Sequence, residues 1–158
     1  MNGSVLALFI APNAQAPMQS VAEAQLEAGK GIVGDRYYLE IGTFSEKLRG
    51  TPDSEVTLVE AEEIERFNET QGLTLGFGDI RRNIITRDIR LNDLVGQHFQ
   101  VGDVVLEGLR LCEPCAHLAS IVTSTVLPGL VHRAGLRARI VSGGRVRTGD
   151  GIVATATE

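Results

Sequence analysis

The sequence predicts a mostly β domain with a few short helices, in the α+β class, closed as a barrel or packed as a sandwich. Three observations predict it. Short apolar runs rich in strand formers recur at close spacing from Gly78 onward, glycine turns separate them, and only Glu60 to Thr70 reads clearly as a helix. At 158 residues and 43% hydrophobic content, the chain has the length of one ordinary domain and enough apolar material for one core. It contains no linker, internal repeat or low-complexity stretch, so residues 1–158 are expected to form one domain.

In chain order, Ser4 to Ala11 is an apolar run that stops at Pro12 and predicts a first strand. Val21 to Gly29 is ambiguous. Ala22, Glu23, Ala24, Gln25 and Leu26 favour a helix by residue preference, while alternation around Ala and Leu allows a strand. Gly29, Gly31 and Gly34 then signal irregular backbone or the close approach of a ligand. Thr43 to Asp53 is polar and reads as a surface loop, and Val56 to Val59 as a short strand. In the following helix Ala61, Ile64 and Phe67 or Asn68 share one face, acidic residues occupy the first turn, and Gly72 ends it. The later strand candidates are Asn83–Thr86, Gln97–Val101, Val104–Leu106, Leu109–Leu111, Leu136–Val141, a strand around Val146, and Ile152–Ala154. Gly102-Asp103, Gly143-Gly144 and Gly149-Asp150-Gly151 supply hairpin turns between them.

Charge divides along the chain. The net charge of −5 argues against a general nucleic-acid binder, yet residues 81–147 hold ten arginines against five acidic residues. Thirteen of the fifteen basic residues are Arg, whose planar fork grips phosphate and carboxylate. Small anions are the expected partners of that half. The apolar stretches, such as Val5 to Ala11, fall far short of the roughly 20 residues of a membrane-spanning helix. No Lys or Arg precedes the first apolar run, as a secretory signal would require. A cytoplasmic protein with no membrane partner is expected.

Cys112 and Cys115 follow the strand that ends near Leu111, and Ala116 to Val122 can form a short helix after them. Cys115 would then sit near a helix N-terminus, where free N–H groups and nearby arginines favour the thiolate. Metal ligands, persulfide carriers and redox nucleophiles all need that thiolate. The same residues also admit a thioredoxin-like pair, structural zinc with His117 and His132, or plain burial. The late position in a β-rich chain tells against the first rival, and the unfamiliar ligand spacing against the second. Gly34-Asp35-Arg36, Arg81-Arg82-Asn83 and His132-Arg133-Ala134-Gly135 are three polar clusters next to glycine or a strand end, and together they predict an anion pocket. Adjacent strand residues face opposite ways, so one of Arg81 and Arg82 is expected in a given pocket. Nucleophile elbow, Walker loop and dinucleotide fingerprint are all missing, which leaves hydrolase and NTPase readings without support.

An ordered series of segments resembles the MOSC domain, named for the C-terminal part of molybdenum cofactor sulfurase. It runs through Gly31-Ile32-Val33-Gly34-Asp35-Arg36-Tyr37, Val56-Thr57-Leu58-Val59-Glu60 and Arg81-Arg82-Asn83-Ile84-Ile85-Thr86. Leu91 to Gly96, Phe99 to Gly102, Cys112-Glu113-Pro114-Cys115, His132 to Ala138 and Gly149-Asp150 continue it. Many relatives carry a Lys soon after the first strand, where this chain has Pro12-Asn13-Ala14-Gln15.

The resemblance implies a MOSC-type β-barrel with a few helices, and it favours extended structure for Val21 to Gly29. It places the family cysteine at Cys115, which in molybdenum-enzyme members ligates the metal of a pterin dithiolene cofactor. Arg36, Arg81, Asn83, Arg133 and Arg137 are the matching candidates for holding the anionic pterin. The implied activity is a molybdenum-cofactor oxidoreductase that reduces small N-oxygenated substrates with electrons from a donor protein. The alternative is a sulfur carrier, with Cys115 receiving a persulfide from a cysteine desulfurase for metal–sulfur cofactor assembly.

Overall fold

The computed structural model describes residues 2–12, 16–35, 38, 55–112, 130 and 132–154. Its strands are β1 (Asn2–Ile10), β2 (Gln19–Val21), β3 (Glu23–Glu27), β4 (Gly31–Ile32), β5 (Val56–Glu60) and β6 (Ile84–Arg87). They continue as β7 (His98–Val101), β8 (Val104–Leu111), β9 (Leu136–Ser142), β10 (Gly144–Arg147) and β11 (Gly151–Ala154). One α-helix, α1 (Ala61–Gln71), and a 3-10 turn at Leu91–Leu94 complete the described elements.

Seven strands close into a ring in the order β11, β7, β8, β9, β5, β6, β1, with β1 returning to β11. The closing contact pairs Asn2 with Val153 and Ser4 with Gly151. All neighbours are antiparallel except β5 and β6, whose parallel pairing is bridged by α1. Closure removes the open edges that would template aggregation, and the structure is therefore a barrel rather than a sandwich. A second sheet of β10, β3 and β4 contributes Val146, Ala24, Leu26 and Ile32 to the barrel core.

Val21 to Gly29 is extended, as β3 flanked by β10 and β4. Ala24 and Leu26 alternate inward along β3, so burial of one face overrides the helical preference of the residues. Two expected strands, Val104–Leu106 and Leu109–Leu111, form the single strand β8. Its register shifts between Gly108 and Arg110, and this irregularity lets pairing with β9 continue through the residues that seemed to interrupt it.

A second shift, between Val5 and Ala7 of β1, turns one strand toward two cores. Val5 and Leu8 enter the barrel with Phe99, Leu58, Leu106 and Leu136, whereas Ala7 and Phe9 face outward. There they meet Val59 and Ile85 and the buried face of α1, formed by Ala61, Ile64 and Phe67. The helix ends where expected. Gly72 adopts φ 65, a left-handed geometry that costs glycine little, and its N–H donates to the Asn68 carbonyl. The Asn68 side chain holds the following chain by exchanging two bonds with the Leu75 backbone, at 2.9 and 3.0 Å.

Candidate functional site

The strand registers bring the sequence-predicted clusters to the two flanks of one belt of paired residues. Leu8 pairs with Ile84, Ile84 with Leu58, Leu58 with Leu136, and Leu136 with Leu111. One flank of this belt holds Ala11, just after β1, and the Arg81–Asn83 segment entering β6; the other holds the His132–Gly135 turn entering β9 and Cys112 leaving β8. Arg82 joins the two flanks into one region, the cysteine end of the barrel. Cys112 is a buried free thiol. Its N–H donates to the Gly135 carbonyl at 2.7 Å, so the segment that leads to Cys115 departs from a fixed point.

Arg82 ties these pieces together from a position only 8% exposed. Its Nε donates to the Ala134 carbonyl at 2.8 Å, Nη1 to Ile80 at 3.2 Å and Nη2 to Cys112 at 3.1 Å. Three carbonyls from three separate segments thus share one guanidinium. Arg81 diverges from it: its backbone takes φ 65, and its Nη1 donates to the Ala16 carbonyl at 2.7 Å. The two arginines thus bond to different segments; Arg81 is among the candidates that the sequence named for holding a cofactor, and Arg82 is not. Strand alternation alone gave no signal for which of the pair turns inward.

Asn83 is 3% exposed. Its Oδ1 accepts from both the N–H and the hydroxyl of Thr57 at 3.1 Å, and its Nδ2 donates to the Phe9 carbonyl at 3.1 Å. These bonds lock β5, β6 and β1 together at the cysteine end. Gly135 approaches the Leu58 carbonyl so closely, at φ 119, that no side chain could be accommodated there. That approach seats the His132–Gly135 turn on β5.

The Gly34-Asp35-Arg36 cluster reaches the same end through Asp35. This residue is fully buried, and its carboxylate accepts from the Ala11 N–H at 3.0 Å. Arg36 and Cys115 themselves lie outside the described residues, as do the expected loop at 43–53 and the expected helix at 116–122. Arg137 stands on β9 between Thr57 and Arg110, half-buried, with its neighbours Leu136 and Ala138 in the core. Among the described residues no cluster of His, Cys, Asp and Glu could hold a metal ion. The zinc alternative drew two of its four ligands, Cys115 and His117, from residues outside that set.

Arg133 faces a different direction. Its Nη1 lies 3.7 Å from Oε1 of Glu63 on α1, and with Arg66, Arg90, Asn92 and His132 it lines a cavity of about 370 Å³. Beside this cavity, burial pushes the Glu60 carboxyl above its ordinary range, opposed by the bond from the Leu91 N–H. Repulsion from Glu63 and Glu62 adds to the rise, and Arg90 counters it. At Glu55 burial also raises the pKa, opposed by the backbone bonds from Ile140 and Gly29 and by the charge of Arg139.

Among the described residues no helix is long and apolar enough to cross a membrane. In comparisons with known proteins, the chain is similar over 99% of its length to 98% of the YuaD protein from Bacillus subtilis, with TM-score 0.84 and 16% identity. It also resembles YiiM from Geobacillus stearothermophilus, covering 98% of this chain and 75% of that one, with TM-score 0.72 and 12% identity. YiiM from Escherichia coli matches 100% of this chain and 71% of its own, with TM-score 0.62 and 17% identity. At such identities the likeness establishes the fold. No curated protein sequence matches. A family model described as the MOSC domain matches residues 45–153, more than half of the chain, and the chain belongs to that family.

Proposed function

We propose that this MOSC-domain protein binds a molybdenum–pterin cofactor at the cysteine end of its barrel and acts as an oxidoreductase on small N-oxygenated substrates. Cys115 is the protein ligand to the metal in this reading, and electrons come from a donor protein. The observation that carries it is the three-way tie by Arg82, which fixes the Cys112 exit against the two turns at 80–83 and 132–135. A cysteine that must hold a metal in one orientation needs such an anchored approach.

The residues present fit an anionic pterin. Arg81 and Arg137 stand at or beside this barrel end, and Arg36 follows Asp35, which is anchored to β1. Their guanidinium groups suit a phosphate, and Asn83 serves by holding the three strands under them. When bound, the cofactor would supply oxygen-atom transfer and two-electron redox chemistry, while the chain supplies orientation and charge. Cys115 must be deprotonated to act as a ligand, and a neighbouring guanidinium favours its thiolate.

The test is purification from a molybdenum-replete, cofactor-competent host, followed by assay of metal, pterin and persulfide in wild type and Cys115→Ala. Stoichiometric molybdenum and pterin, lost in the variant, are the expected result. Persulfide on Cys115 without metal would replace this reading with the sulfur carrier, loaded by a cysteine desulfurase. If neither appears, the thiol-centred account fails.

A further inference from the structure

The cavity on the α1 side of the barrel is built from three elements distant in sequence: Glu63 and Arg66 of α1, Arg90 and Asn92 after β6, and His132 and Arg133 before β9. Its volume of about 370 Å³ falls within the roughly 300–1,000 Å³ usual for small-molecule sites. The two loops are fixed before any ligand arrives. Asn92 Nδ2 donates to the His132 carbonyl at 2.9 Å, Arg133 N–H to Leu130 at 2.9 Å, and Leu91 N–H to Glu60 at 3.2 Å. Arg133 is therefore presented by a braced turn.

We propose that this cavity binds the phosphate group of a small molecule, on the α1 side of the His132–Gly135 turn. Three guanidinium groups face one carboxylate in the lining, a formal surplus of +2. A phosphomonoester carries about −1.5 to −2 near neutral pH and matches that surplus. The neighbouring Glu60 is not part of the lining, and its carboxylate is turned to the Leu91 N–H. A lone carboxylate is satisfied by one bidentate Arg, whereas three forks on three elements suit a tetrahedral group with several oxygens. The Arg133–Glu63 separation of 3.7 Å is well beyond the roughly 2.7–2.9 Å of a tight charged hydrogen bond. An arriving phosphate can share Arg133 without breaking a strong pair.

The inference does not depend on the molybdenum reading. Calorimetric titration with inorganic phosphate in a non-coordinating buffer tests it on wild type, Arg66→Gln, Arg90→Gln and Arg137→Gln. A saturable phosphate site weakened about tenfold by each of the first two substitutions is expected, while Arg137→Gln reports any phosphate held at the cysteine end. Arg66 and Arg90 are exposed, so these variants should keep the wild-type melting temperature. Repeating the titration with phosphatidic acid vesicles separates the sources: competition assigns the phosphate to a lipid headgroup, and its absence to a solute, with the site upheld in either case. Absence of saturable binding overturns the proposal. So does binding that survives Arg66→Gln and Arg90→Gln but fails in Arg137→Gln, which would move the anion to the cysteine end.

Discussion

The interior of the barrel and its cysteine end are held together by opposite means. Inside the ring, Phe99, Leu58, Leu106, Leu136 and Ile152 pack without a polar atom among their side chains. At the end where β8 stops, the buried side chains of Arg82, Asn83, Thr57 and Asp35 join backbone segments through directed hydrogen bonds. Apolar burial is strong but non-directional and tolerates repacking. Buried polar ties fix where each chain segment leaves the barrel, and they fail abruptly when one partner is removed. The two regions therefore divide the work: one holds the fold together, the other sets where the chain leaves the barrel at Cys112.

The sharpest way to break this contrast is Arg82→Ala, which strands three buried carbonyls at once. A loss of about 3–5 kcal/mol is expected, comparable to removing one partner of a buried charged network. Urea unfolding measures the loss, and alkylation kinetics at Cys115 should change in the folded state because its approach is no longer anchored. Leu106→Ala in the barrel interior should cost about 3 kcal/mol through lost burial and a residual cavity. Its alkylation kinetics should stay at the wild-type rate. If both variants shift thiol reactivity equally, the proposed division between fold and site is wrong. Asn83→Ala should fall next, at about 2 kcal/mol, since it orphans the Phe9 carbonyl and the Thr57 N–H while leaving the apolar core intact. Asn83→Asp keeps the acceptor for Thr57 but cannot donate to Phe9, and it should recover only part of that loss.

Much of the apolar scaffold was legible in the sequence, because it follows spacing. Ala61, Ile64 and Phe67 announced α1, Gly72 announced its end, and strand runs announced most of the ring. Less could be read where the periodicity breaks. The shifts near Leu6 and Leu109 change which residues face inward, and they depend on pairing with β6 and β9 that no local pattern encodes. Closure between β1 and β11 is equally a matter of distant partners. At the site, the three Arg clusters were visible as charge beside glycine or a strand end, but their directions were not. The left-handed backbone at Arg81 accompanies the split that leaves Arg82 among the carbonyls, and Arg133 turns toward Glu63 only because its turn sits against α1.

An exposed polar tie completes the comparison, with the smallest expected effect. Arg87 of β6 reaches both carboxylate oxygens of Glu65 on α1, at 3.1 and 2.9 Å, in a bidentate geometry. Both side chains are solvated, at 33% and 51% exposure, so water and salt screen a pair that burial would have made decisive. Arg87→Gln should cost about 0.3–1 kcal/mol at low ionic strength, and almost nothing in about 1 M salt. The Arg87 guanidinium holds the Glu65 carboxyl below its ordinary value. Because the folded pKa is depressed, this contribution is present above the unfolded value of 4.5 and disappears as pH falls through the lower folded value. Urea midpoints of wild type and Arg87→Gln should therefore converge on acidification below that range. A difference that persists there, or that survives high salt, would show that Arg87 acts through packing against α1 rather than through charge.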